Sequence, residues 1–520
     1  MGGPGPSARI RLSIVRCVSF MKRIFSFGVL ALAAGFALRL YFVLKHPANN
    51  SGDTPLYEEL ASNWLQHHIY GMKVDDGLVP VDLRMPGYPA FLALVYAITH
   101  KVGADARFYV MFAQMIVDLG SCLLVAGLAA ELAKFWVDDR RVKSVFLIGL
   151  WLAALCPFTA NYVATPMTEV FAVFFTAAAL LAFVFLLRRL AAPVGVVPRP
   201  RFARHELSLL CLLVGLVIGM GTLFRPETPL LLVVGCAIFL LFYLARHRLF
   251  AGMRLSALAV AGCLVPLAPW GIRNAITLHE FQLLAPKNSN LPGELIPYGF
   301  MAWEKTWLFR VRDNYLVPWK LNGEEIYPDD LPPGAFDTPE EKERVGMLLE
   351  EYNNDLTLSP EEDAAFAELA RERTARHPLR TYLWLPVARG FTIWFTPRIE
   401  LLPFSGQLQP VKQAWHEDPI DFSVTIGFFA LNLAYALLAL AGAWRLWRQH
   451  APGLRFAVGL LLGYLLLRTA FLTTLETPEP RYVLVCFPIV LALAAQVFAR
   501  RPSAEPVLPR HNYFSSTGSG

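Results

Sequence analysis

Apolar residues in this chain come in unbroken blocks long enough to cross a bilayer, and that single feature excludes most other folds. About 20 consecutive apolar residues span the hydrocarbon core while satisfying every backbone polar group inside one helix. Such blocks run at about 24–44, 108–133, 144–163, 167–187, 206–224, 228–245, 255–272, 421–444, 455–473 and 482–499. Hydrophobic residues make up 55% of the 520 and charged residues only 17%, which rules against the several soluble domains that the length alone would suggest. The predicted fold class is an all-α polytopic membrane protein with about ten transmembrane helices and juxtamembrane helices in its loops.

Charge orients the blocks, because Lys and Arg collect at cytoplasmic ends. Arg9, Arg11, Arg16, Lys22 and Arg23 precede the first block, and Met21-Lys22-Arg23 reads as a natural start. With the N-terminus inside, Arg140, Arg141 and Lys143 fall inside too. So do Arg188, Arg189, Arg201, Arg204, Arg246, Arg248, Arg254, Arg445, Arg448, Arg500 and Arg501. This holds only if the short run Pro89–Thr99, about half a span, is a juxtamembrane helix. Arg39, near the outer end of the first span, is expected to snorkel to the surface. The net charge of +6 sits in these clusters, and no basic stripe with interleaved aromatics points to nucleic acid. The seven cysteines form no CxxC pair and avoid the long polar loops, so neither a disulfide framework nor a zinc site is indicated.

The organisation that follows is a cytoplasmic segment 1–23, a transmembrane core 24–272 with a first extracytoplasmic loop at 45–107, and an extracytoplasmic region 273–420. Transmembrane helices at 421–499 and a cytoplasmic tail 500–520 complete it. Within the 273–378 loop, Thr338-Pro339-Glu340-Glu341 and Ser359-Pro360-Glu361-Glu362 each read as a helix start: hydroxyl N-cap, Pro at N1, Glu at N3. Two short helices are expected there, with too few apolar residues for a core of their own. The aromatic-rich run Leu379–Phe395 reads as an interfacial helix.

Polar residues capable of chemistry gather at one predicted face. Asp53 follows the first span and precedes a helix from about Pro55, and a simple helix N-cap would also explain it. Arg84 opens Arg84-Met85-Pro86-Gly87-Tyr88-Pro89, an irregular segment suited to presenting a guanidinium to a phosphate. Glu169 lies at the outer mouth of a span, where a carboxylate is expensive. Arg225-Pro226-Glu227, Arg273-Asn274 and Glu479-Pro480-Arg481-Tyr482 mark the outer ends of others. Acids and arginines converging on one face suit recognition of a phosphate beside a carboxylate base.

These elements, in this order, resemble the membrane glycosyltransferases of the GT-C class. The likeness is to the bacterial dolichyl-phosphate-mannose-protein mannosyltransferase-like and aminoarabinose-transferase-like group, the family 39 type. It is carried by Gly52-Asp53 with Tyr57 and Ala61, by the Arg84 to Tyr88 segment, and by Met167-Thr168-Glu169-Val170-Phe171. Phe224-Arg225-Pro226-Glu227, Pro269-Trp270 with Arg273-Asn274, and Pro480-Arg481-Tyr482 complete it. The resemblance implies a GT-C-like fold and a multi-pass protein of the cell (inner) membrane. It would transfer a sugar from a polyprenyl-phosphate-linked donor to a lipid or glycan acceptor, in cell-envelope modification. By the same matching Asp53 and Glu169 are the catalytic acids, and Arg84, Arg225, Arg273 and Arg481 the donor-phosphate ligands. Tyr57, Tyr88 and Glu479 would contact substrate. Divalent-metal dependence stays open, since the class is divided on it and no ligand cluster compels a metal. Thr54 stands where the mannosyltransferases carry a second acid, and no large lectin-like insertion is present, which speaks against a protein acceptor. A lipid-linked-sugar flippase or other transporter is the alternative, disfavoured by the scarcity of mid-membrane charge and the lack of two related halves.

Overall fold

The computed structural model describes residues 6–48, 52–75, 77–191, 203–288, 290–291, 293–406, 408 and 410–499, with backbone only for 6–24, 203 and 204. Ser51, Arg201, Arg500, Arg501 and both terminal tails lie outside the described residues, as do the side chains of Arg9, Arg11, Arg16, Lys22, Arg23 and Arg204. The chain is an all-α polytopic membrane protein. Its strands among the described residues are one hairpin, β1 (Gly71–Val74) against β2 (Gly77–Pro80), paired Gly71 to Pro80.

The first half runs α1 (Pro6–Lys45), α2 (Thr54–His67), the hairpin, α3 (Gly87–Thr99), α4 (Arg107–Ala133), α5 (Asp139–Ala154), α6 (Pro157–Ala160), α7 (Glu169–Ala191), α8 (Ala203–Thr222), α9 (Pro229–Leu244) and α10 (Leu249–Thr277). The second runs α11 (Tyr298–Lys305), α12 (Pro339–Asp355), α13 (Pro360–Arg376), α14 (Leu385–Trp394), α15 (Val411–Glu417), α16 (Pro419–Trp447), α17 (Leu454–Thr473) and α18 (Phe487–Gln496). Helices stand at all ten expected positions, but among the described residues seven are long and apolar enough to cross by themselves. An eighth is bent by 50° between α5 and the Pro157–Ala164 segment. At 229–244 and 480–496 the apolar helices are short. Sixteen residues in α9 reach about 24 Å, short of a core about 30 Å thick. Pro89–Thr99 falls in α3, a short helix as its length requires.

Close packing in the bundle rests on small residues, as expected where lipid offers no hydrophobic drive between helices. A Cβ on Gly215 of α8 would lie 1.9 Å from the Ala259 carbonyl oxygen of α10, and one on Gly262 of α10 would lie 2.2 Å from that of Leu212. The two helices touch backbone to backbone.

Two expectations fail. Arg39 does not snorkel: it is 0% exposed, and its Nε donates to Asp118 Oδ2 of α4 at 2.6 Å. Its Nη1 donates to the carbonyls of Gly35 and Ala154 at 2.9 and 2.8 Å. Ala154 ends α5 at the bend, where a helix C-terminus leaves carbonyls without partners, so a guanidinium inside the bundle caps the break. The spans thus carry a buried ion pair whose arginine the sequence reading placed at the surface.

The 273–378 region also has a core. Phe300, Trp303 and Trp307 of the α11 region pack with Val345, Leu349 and Tyr352 of α12 and with Phe366 and Leu369 of α13. The helix starts are as the sequence predicts: Thr338 Oγ1 accepts from the Glu341 amide at 3.2 Å, and Ser359 with Glu362 forms a reciprocal capping box. The Leu379–Phe395 run becomes a π-turn (Arg380–Trp384) leading into α14, with Tyr382, Trp384 and Phe391 exposed.

Candidate functional site

At the end of the bundle nearest this second core, Asp53 precedes α2 but does not cap it. Its backbone is helical (φ −85°, ψ −16°) and its side chain makes no capping hydrogen bond. The carboxylate turns outward: Oδ1 accepts from Arg84 Nη2 at 2.8 Å, and Oδ2 lies 3.3 Å from Arg481 Nη1. Burial works against the charged form, but Arg481 and Arg84 outweigh it and hold Asp53 below the usual carboxylate range.

Arg84 is delivered by a segment with its own anchors. Tyr70 donates its hydroxyl to the Arg84 carbonyl at 2.9 Å, and the Gly87 amide donates to the Leu223 carbonyl at 2.7 Å. A Cβ on Gly87 would lie 2.6 Å from that same oxygen, so the glycine lets the start of α3 abut the end of α8. That contact brings Arg84 into the neighbourhood of Arg225.

Glu169 opens α7 and is 2% exposed. Its Oε1 is ion-paired to Arg225 and lies 3.9 Å from Arg481, while Oε2 is buried with no hydrogen-bond partner among the described residues. The preceding segment is fastened from below: Gln114 donates to the carbonyls of Val163 and Thr165 at 3.2 and 2.9 Å, and accepts from the Tyr88 hydroxyl at 2.6 Å. Arg225 also donates to Thr168 Oγ1 at 3.0 Å and lies 3.4 Å from Glu227. Glu227 in turn pairs at 2.8 Å with Arg468 of α17. Against the cost of burial, Arg468 and Arg225 bring Glu227 down to about 2. Arg481 closes the system by pairing with Glu479, which accepts from the Tyr482 hydroxyl at 3.0 Å.

Four arginines therefore alternate with four carboxylates in one connected network. Asp53, Glu169, Arg84, Arg225, Arg481 and Glu479 are brought together in it. Sequence reading missed Arg468; the available signal was an arginine inside an apolar span, which is costly without a partner. Two expected residues stand elsewhere. Arg273 donates to the carbonyls of Tyr70 and Val81 at 2.6 and 2.9 Å, bracing the hairpin, and lines neither cavity described next. Tyr88 is fully buried and spent on Gln114, whereas Tyr57, packed edge-on against it, reaches a cavity wall.

Two cavities meet at this network, and Asp53, Arg84, Arg481 and Tyr482 line both. One, of about 850 Å³, adds Arg225 and Tyr57, with Lys287 and with Lys305 at the end of α11. It reaches Val233 of α9 and Phe471 of α17, both exposed on helices of the bundle. The other, of about 1180 Å³, lies toward the end of α1 and the second core, with Glu400, Glu479, Tyr315 and Trp319 in its walls. Among the described residues no group of three or more His, Cys, Asp or Glu side chains is arranged to hold a metal.

The fold and site together define a polytopic α-helical membrane protein with an arginine–carboxylate network between two cavities at one end of its bundle. No family model matches the sequence, and no curated protein matches it. Among solved structures it is similar to the Archaeoglobus fulgidus oligosaccharyltransferase in complex with Zn and sulfate, at 13% identity and a TM-score of 0.45 over 90% of this chain and 49% of that one. It is similar to the same enzyme in the apo form at 14% and 0.46, over 91% and 50%. The archaeal oligosaccharyltransferase AglB from A. fulgidus, in complex with an inhibitory peptide and a dolichol-phosphate, gives the same values. The chain spans about half the length of these structures. At that similarity, function has to be argued from the side chains.

Proposed function

We propose that the protein is a GT-C-like membrane glycosyltransferase that moves a sugar from a polyprenyl-phosphate-linked donor to an acceptor hydroxyl on the extracytoplasmic face, in modification of a cell-envelope glycan or glycolipid. The observation that carries this reading is Asp53, a carboxylate between two arginines on the wall common to two cavities. The cavity reaching Val233 and Phe471 suits a lipid-linked phosphate, with a cationic end for the phosphate and an apolar mouth for the prenyl chain. The other suits the acceptor.

In the reaction the acceptor oxygen attacks the anomeric carbon and the bond from that carbon to the phosphate oxygen breaks. The phosphate leaves with the electron pair, and the hydroxyl proton passes to Asp53. Arg84, Arg481 and Arg225 stabilise the charge that grows on the leaving phosphate. Glu169 holds Arg225 and faces Arg481, which makes it an orienting group for both cations. With Asp53 held at low basicity by its two arginines, an arriving phosphate that takes over Arg84 and Arg481 restores the base. One displacement inverts the anomeric centre.

The test compares wild type with Asp53→Asn in nanodiscs, given a panel of polyprenyl-phosphate sugars and following release of the polyprenyl phosphate. Release by wild type and its loss in the folded, donor-binding variant are expected. Equal release by both removes Asp53 as the base, and absence of donor binding favours the transporter reading.

A further inference from the structure

We infer that the acceptor is a carbohydrate, one sugar ring of which stacks in an aromatic corner formed by Tyr315 and Trp319 while its hydroxyls bond to Glu400 and Glu479. This rests on the glycosyltransferase reading and specifies the acceptor class. Tyr315 and Trp319 are 50% and 47% exposed, and their rings meet edge to face at 4.3 Å. Both line the larger cavity, whose wall also holds Asp53.

The corner is registered to the catalytic network. Asn314, fully buried between cavity-lining Val311 and Tyr315, donates its side-chain amide to the Pro478 carbonyl at 3.0 Å, and its own carbonyl accepts from the Trp319 amide at 3.0 Å. Behind the lining residue Glu400, buried Arg398 donates to the Pro480 carbonyl at 3.1 Å. Arg398 adopts a left-handed backbone (φ 56°), a strained state for an arginine that its surroundings must impose. It fixes the loop carrying Glu400, whose Oε1 accepts from the Tyr162 hydroxyl at 2.8 Å. The aromatic corner and the Glu400 loop are thus pinned to the carbonyls on either side of Glu479, next to Arg481. Glu400 and Glu479 line the same cavity as the corner, and burial followed by their charges pushes the Tyr315 phenol up.

An aromatic corner facing carboxylates asks for a ligand with a C–H face and several hydroxyl donors. A sugar ring offers both, since its axial C–H groups pack on aromatic faces and its hydroxyls donate to carboxylates. Val233 and Phe471, exposed on helices of the bundle, line the other cavity and not this one, which assigns the prenyl chain to that side. A lysine-rich peptide is the rival, because a cation also suits aromatic faces and acids.

The experiment uses the full chain in nanodiscs with maltotriose, mannotriose and chitotriose, read by saturation-transfer NMR. In parallel, polyprenyl-phosphate release is followed with each trisaccharide or with a lysine-rich peptide. Expected are contact with sugar ring protons, faster release with a trisaccharide, and about tenfold weaker sugar binding in Trp319→Ala with recovery in Trp319→Phe. Donor binding stays unchanged in both variants. Release stimulated by the peptide alone, or no saturation transfer to any trisaccharide, overturns the carbohydrate acceptor and leaves the transferase reading standing. A chain that contacts sugars but never binds donor overturns the transferase reading instead.

Discussion

Arg39 offers the sharpest test of how the bundle is held. Its guanidinium reaches Asp118, Cys122 and the carbonyls of Gly35 and Ala154, with none of it exposed. Arg39→Met leaves the Asp118 carboxylate unpaired in an apolar bundle, which costs about 3–5 kcal/mol. It also orphans the Ala154 carbonyl at the bend, about 1–3 kcal/mol more. Asp118→Leu leaves a buried cation and costs about as much as the first term. The double variant removes both charges together, so only the carbonyl loss of about 1–3 kcal/mol remains. The double variant is therefore expected to be more stable than either single one, with a coupling energy of several kcal/mol. Equilibrium unfolding in mixed micelles measures this, and the buried cysteines, Cys156 and Cys486 among them, report exposure through a thiol-reactive dye. A snorkelling arginine would give a cost below about 1 kcal/mol and no coupling. Either result refutes the buried brace.

Arg481→Gln is expected to weaken binding of a polyprenyl-phosphate sugar by about 10–100-fold, the worth of a charge-assisted hydrogen bond, while Arg273→Gln leaves it within about twofold and instead exposes the hairpin to proteolysis. Equal losses of affinity would return Arg273 to the phosphate site. The second prediction concerns acid stability. Because pairing depresses Glu227, its contribution is complete above its ordinary value of about 4.5 and is lost as pH falls through about 2. Relative to Glu227→Gln, wild type should lose on the order of 3 kcal/mol across that window. A stability difference independent of pH there would show that the Glu227 pairing is weak.

What the sequence disclosed was whatever is encoded within about one turn of helix or one span. The starts of α12 and α13 were legible because a hydroxyl, a proline and a glutamate act on neighbouring amides. The spans were legible because composition over twenty residues is enough. The partner of Arg39 was not, since Asp118 is 79 residues away and no local pattern marks the pair. The second core escaped for a related reason. Trp303, Leu349 and Phe366 come from three helices, and no short window of the chain looks apolar enough to announce them. The contacts of Arg273 with the hairpin were not legible either, because position at the end of a span says where an arginine is, not which way it turns.

The pairing of every site arginine with an acid bears on the proposed chemistry in a way that spacing alone could not show. A bare cluster of Arg84, Arg225 and Arg481 would suffer mutual repulsion and desolvation in the absence of donor. Asp53, Glu169, Glu227 and Glu479 remove that cost by lying against them. A bound phosphate then has to displace carboxylates; among the described residues Asp53 and Glu169 accept from site arginines alone, and of the two it is Asp53, half-buried and lining both cavities, that an arriving ligand can reach, Glu169 being buried. Glu227 is held by Arg468 as well, and Glu479 by Tyr482, so both keep a partner when the cations turn to the phosphate. On the proposed reading the network thus frees the base only when the leaving group is already gripped. Water or an acceptor arriving first meets a carboxylate too weakly basic to activate it, and transfer is kept to the complex that holds donor.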